Sequence, residues 1–134
     1  MFSNIPLMIV PFLLYNLVLM GLIGTAGADP WSYEVFSVSM MSGGQWTTTL
    51  GDMLIAFALL ILFVEIMKST RTSNASVVDH LLSTFVFVAF LVEFLLVRGA
   101  AHSVFFILMI ITLVDVIAGF SVSIRAAGRD VNFR

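Results

Sequence analysis

Four runs of about twenty residues, each nearly free of charge, decide most of what this chain can become: residues 5–24, 48–67, 77–97 and 103–124. A helix needs about 20 largely apolar residues to cross the hydrocarbon layer of a bilayer, and it satisfies its own backbone polar groups while doing so. Composition closes off the alternative of a water-soluble globule. Of the 134 residues, 60% are hydrophobic and only 10% charged, against about 25% charged in a soluble domain. The expected fold is therefore all-α: a single polytopic transmembrane domain over residues 1–134. Its four helices run up-down-up-down, with a short hairpin joining the third and fourth and an outer loop at 25–47.

The first run competes with a signal peptide, because Ala26-Gly27-Ala28 has the small-x-small form of a cleavage site. Residues 1–4 carry no Lys or Arg, which a signal peptide's leading segment normally does, so a retained helix is expected. Pro6 suits a first helical turn, and Pro11 predicts either a kink or the true start of the helix.

Basic residues set the expected orientation. Lys68 and Arg71 lie between helices 2 and 3, and Arg125, Arg129 and Arg134 lie in the tail, while the first loop has only Asp29 and Glu34. By the positive-inside rule both termini face the cytoplasm, and short loops with this bias fit a bacterial inner membrane. Arg125 and Arg129, at helical spacing, are placed to reach lipid headgroups. The outer loop holds Trp31, Tyr33, Phe36 and Trp46, residues that favour the headgroup level. It is expected to rest on the membrane surface; Met40 and Met41 would otherwise offer adaptable contacts to a partner.

Small residues mark expected packing faces. These are Gly21, Gly24, Thr25 and Ala28 at the end of helix 1; Gly51, Ala58 and Glu65 at seven-residue intervals in helix 2; and Thr112, Asp115, Gly119 and Ser123 in helix 4.

The intramembrane polar residues are the candidate site. At about 1.5 Å rise per residue they fall into three expected layers: Asp52 with Glu93, Asn16 with Asp115 near the midplane, and Glu65 with His80 and Asp79. A carboxylate at the centre of a bilayer costs about 2.5–3.5 kcal/mol on insertion scales, so it faces a bundle interior, water or another chain. One reading makes the layers steps of a proton or cation path. The other makes each an interhelical hydrogen bond that fixes packing, which the separation of the layers favours. An ion pair from Glu93 to Arg98 would ease insertion of the acid at the outer interface.

Several chemistries find no support. There are no cysteines, hence no disulfides or thiolate ligands. His80 and His102 stand near opposite ends of helix 3 and the turn beyond it, so one chain cannot clamp a haem between them. No paired-histidine metal motif, phosphate-binding loop or nucleophile elbow is present. No cofactor, metal, catalytic residue or nucleic-acid partner is expected; the net charge of −2 is small.

In length and four-helix layout the chain resembles small multidrug resistance transporters, whose functional carboxylate is a glutamate in helix 1. Helix 1 here carries Tyr15 and Asn16 and no acid, so that function does not transfer. The expected role is a non-enzymatic accessory or scaffolding subunit packing against other membrane chains, as a homo-oligomer or in a larger complex. The alternative is a proton- or cation-coupled channel or transporter working as a homo-oligomer around Asp115, Glu93 and Glu65.

Overall fold

The computed structural model describes residues 5–21, 29–69 and 74–132. Among them are four α-helices: α1 Ile9–Leu19, α2 Leu50–Lys68, α3 Asn74–Leu96 and α4 Ser103–Asn132. Three are long and apolar enough to cross a membrane, through Leu50–Lys68, Val77–Leu96 and Ser103–Val122. The protein is thus mostly helical and has the composition of a membrane protein.

Helix α1 is shorter than the apolar run that contains it. It has 11 residues, or about 16 Å of rise, well under a bilayer's thickness. Its limits have local causes. A turn led by Pro6 precedes it, with the Ile9 N–H donating to the Pro6 carbonyl at 3.2 Å. Pro11 falls in the first helical turn, where a missing N–H breaks no bond. At the other end Gly21 takes φ +78°, so this glycine ends the helix rather than serving a packing face. Gly24, Thr25 and Ala28 lie outside the described residues.

The outer loop contains secondary structure that apolar run lengths did not reveal. A 3-10 turn at Pro30–Ser32 leads into an antiparallel hairpin, β1 Glu34–Ser39 and β2 Gln45–Thr49. The hairpin closes through Met40–Gly44, with Gly43 at φ +91°, a conformation that suits glycine. Strand β2 runs directly into α2. Thr49 caps that helix by accepting from the Asp52 N–H at 3.2 Å, and the Asp52 carboxylate accepts from the Thr49 N–H at 3.1 Å.

Helix α4 is the hub: α2 and α3 both pack on it, and α1 touches α2 and α4. In α2 the buried side is Gly51, Leu54, Ala58 and Glu65, positions that recur on one helical face. A Cβ on Gly51 would stand 2.7 Å from Val104 Cγ2 and 3.1 Å from the Trp31 carbonyl oxygen, so its absence permits the close approach of α2 to α4. Thr112, Asp115 and Gly119 are buried together on α4; the Ser123 side chain is outside the described set.

Aromatic rings bind α1 to this frame. Phe12 meets Phe90 edge-on at 4.9 Å, Phe90 meets Phe105 at 5.1 Å, and Tyr15 meets Phe105 edge-on at 4.8 Å. Trp31 stacks on Tyr15 at 4.5 Å and is only 5% exposed. This corrects its expected place among the headgroup aromatics: its ring closes the core, while Tyr33, Phe36 and Trp46 remain exposed. Two open apolar grooves flank α1, of about 340 Å³ towards α2 and about 440 Å³ towards α3.

Candidate functional site: a buried carboxylate–lysine cluster

The last turn of α2 places Glu65 and Lys68 three residues apart on one face, and Lys68 Nζ bonds Glu65 Oε1 at 3.0 Å. The same ammonium reaches Asp79 Oδ1 on α3 at 3.4 Å and donates to the Ile5 carbonyl at 2.9 Å. Glu65 Oε1 also accepts from the Leu7 N–H at 3.1 Å. One carboxylate and one ammonium thus tie the segment before α1 to α2 and α3. The ion-pair side chains are scarcely exposed, Glu65 at 1% and Lys68 at 12%. In such surroundings electrostatics are strong and an unpaired group is costly.

Asp115, one helix away on α4, is within electrostatic reach of Glu65, Asp79 and Lys68. It is 4% exposed, and its Oδ2 atom is buried with no hydrogen-bond partner. Two carboxylates therefore bond one lysine, and Asp115 stands nearby without a bond to it. His80 lies within electrostatic reach of Asp79 and Lys68 and packs against Phe120 at 4.9 Å. A Cβ on Gly119 would approach the His80 ring to 3.0 Å, so that glycine makes room for the imidazole. Ser83 and Thr112 are buried as well. Thr112 turns its hydroxyl back to the Met109 carbonyl at 2.6 Å.

A second, smaller polar group lies beyond the aromatic rings, towards the hairpin. Asn16 donates to the Phe12 carbonyl at 2.9 Å and is the polar neighbour of Glu93, whose Oε2 is buried without a partner. Tyr15 donates its hydroxyl to the Gly99 carbonyl at 3.0 Å. At the rim, His102 Nε2 stands 3.2 Å from Asp29 Oδ1.

The three expected layers are regrouped. Asn16 lies with Glu93 and not with Asp115, because α1 is short and starts late: Leu7 already meets Glu65, and Tyr15 already reaches Gly99. Asp115 joins Glu65 and Asp79. Asp52 leaves the candidate site; it is exposed and serves the capping box of α2. Among the described residues the ion pairs are those of Lys68, His102 makes a 3.2 Å contact to Asp29, and no Glu93–Arg98 pair is formed. Arg125 is exposed on the final turns of α4, and the Arg129 side chain is outside the described set.

The part played by Lys68 escaped sequence reasoning, which assigned it to the cytoplasmic loop. The signal was present in its three-residue spacing from Glu65, which puts both groups on one helical face. Among the described residues, no three His, Asp or Glu side chains gather as a metal site. Comparison with known protein families, curated proteins and solved structures returned no match.

Proposed function

We propose that the chain is a small non-enzymatic integral membrane subunit that packs against other membrane chains. The observation that supports this is the separation of its polar groups by aromatic rings. Phe12, Phe90, Phe105 and Tyr15 form a contiguous set of ring contacts between the Asn16–Glu93 pair and the Glu65–Lys68–Asp79–Asp115 cluster. Each polar group then works locally, holding helices in register, and neither continues into the other. The intended setting is an up-down-up-down bundle with both termini cytoplasmic, in a bacterial inner membrane. The meeting of Leu7 with Glu65 and of Tyr15 with Gly99 fits antiparallel neighbours, and the charge bias of the loops fits that orientation.

One observation favours a second reading, proton- or cation-coupled transport by a homo-oligomer: the unpartnered Oδ2 of Asp115. A second chain could complete that site. Asp115→Asn separates the two readings. Under the subunit reading, the variant shows no altered ion flux in proteoliposomes, and its assembly with partner chains is the property that changes. Loss of a measurable flux with assembly intact would establish transport instead.

A further inference from the structure

We propose that the β1–β2 hairpin is a bilayer-surface anchor, lying with one face against electrically neutral lipid headgroups beside the mouth of the bundle. This rests on the membrane-spanning reading of α2 and not on either functional reading above.

The hairpin has two chemically distinct faces. Its register pairs Phe36 with Thr48 and Val38 with Trp46, and the Phe36 and Trp46 rings meet edge-on at 5.3 Å. The intervening pairs form the opposite face: Ser37 and Thr47 hydroxyls are 3.1 Å apart, and Gln45 donates to Ser39 Oγ at 2.6 Å. The polar face satisfies itself. Among the described residues the apolar face is only partly covered, with Phe36 39%, Val38 44% and Trp46 49% exposed; Met41, at the tip, is fully exposed.

What covers it follows from where the hairpin is rooted. Thr48 shares the apolar face yet is only 4% exposed. That face is therefore turned towards the bundle at its base and overhangs the rim further out. Strand β2 ends at Thr49 and the span of α2 begins at Leu50, so the overhang starts at the level where the helix enters lipid. The exposed apolar belt of α2, including Met53, Phe57 and Leu60, continues directly below. Trp and other amphipathic aromatics favour that interfacial level. Charge selects the type of lipid. From Asp29 to Asp52 there is no Lys or Arg, and the charged groups are Asp29, Glu34 and Asp52. Arg98 is exposed at the same rim, but the acids outnumber it, so anionic headgroups are disfavoured and neutral zwitterionic ones fit.

The cysteine-free sequence allows a direct test in phosphatidylcholine vesicles holding the full chain. Spin labels at Val38→Cys, Met41→Cys, Ser37→Cys, Ser39→Cys and Gln45→Cys report their relative exposure to oxygen, which concentrates in lipid, and to a water-soluble nickel chelate. The expected result alternates: positions 38 and 41 favour oxygen, and positions 37, 39 and 45 favour nickel. Nickel access at all five overturns the proposal. So does shielding of 38 and 41 from both reagents, which marks cover by a second copy or another protein. An unlabelled check uses the emission of Trp46, taken as wild type minus Trp46→Phe. Brominated phosphatidylcholine should quench it about twofold or more if the ring lies at the interface, and absence of quenching refutes the anchor. Replacing part of the lipid with phosphatidylglycerol should not increase the quenching; an increase would overturn the assignment to neutral headgroups.

Discussion

Lys68 shows how one side chain can carry several contacts at once. It faces two acids and a backbone carbonyl from a nearly buried position. Removing it leaves Glu65 and Asp79 without their cation, and breaking a buried pair on one side costs about 3–5 kcal/mol. Lys68→Met should therefore lower unfolding stability in detergent by that order, and the triple change Lys68→Met, Glu65→Gln, Asp79→Asn should recover much of it. A triple variant no better than the single one would show that the charges do not act as a unit. Gly51 makes the opposite point, that an absent side chain can be structural. Its missing Cβ would stand 2.7 Å from Val104 Cγ2, so Gly51→Ala should cost about 1–3 kcal/mol by overpacking. Adding Val104→Ala relieves the clash, and a double-mutant cycle should return a favourable coupling between the two sites. Both residues were visible in the sequence as a basic loop residue and a small one on a seven-residue repeat. Their partners were not, since a partner is a matter of which helix lies opposite.

At the scale of elements, α1 depends most on its neighbours. It is the shortest of the four helices and its segment is held at both ends, by the Leu7 N–H on Glu65 and the Tyr15 hydroxyl on Gly99, with Phe12 and Tyr15 seated among rings between them. Glu65→Gln keeps an oxygen that accepts from Leu7, while Glu65→Ala does not. Amide exchange at Leu7 should thus quicken in the alanine variant and change less in the glutamine one, measured by hydrogen–deuterium exchange. Equal rates in both would mean that the carboxylate does not hold the segment. Helix α2 is more self-sufficient. Its capping box predicts that Thr49→Ala costs about 1 kcal/mol, read as a small loss of thermal stability with the fold retained. The hairpin was legible in hindsight: Phe36 and Val38 alternate with Ser37 and Ser39, and Gly43-Gly44 supplies a turn. The same aromatic residues also carry a lipid-interface signal, which overlies that period of two.

For the whole molecule, lipid changes what burial means. Exposed Leu60, Phe63 and Phe85 carry no hydrophobic penalty against acyl chains, so close packing and polar contacts, rather than apolar burial, join the helices. That is why the interior is organised by rings, glycine contacts and one charge cluster. It also leaves much of α2 and α3 available to neighbours. The subunit reading predicts that extraction from the source membrane in mild detergent, followed by native mass spectrometry, returns this chain in fixed stoichiometry with other membrane proteins. A clean homo-oligomer without partners would instead favour transport.

The sequence by itself determined that the chain is helical and apolar enough for a membrane, and where the three helices long and apolar enough to cross one lie, because backbone satisfaction in lipid depends on local run length. It also marked Glu65 and Asp115 as groups in need of company. Tertiary structure decided which company. It shortened α1, sent Asn16 to Glu93, drew Lys68 inward to Glu65 and Asp79, and folded Trp31 into the core. Such pairings depend on how helices are offset and rotated against one another, and no spacing within a single helix records that.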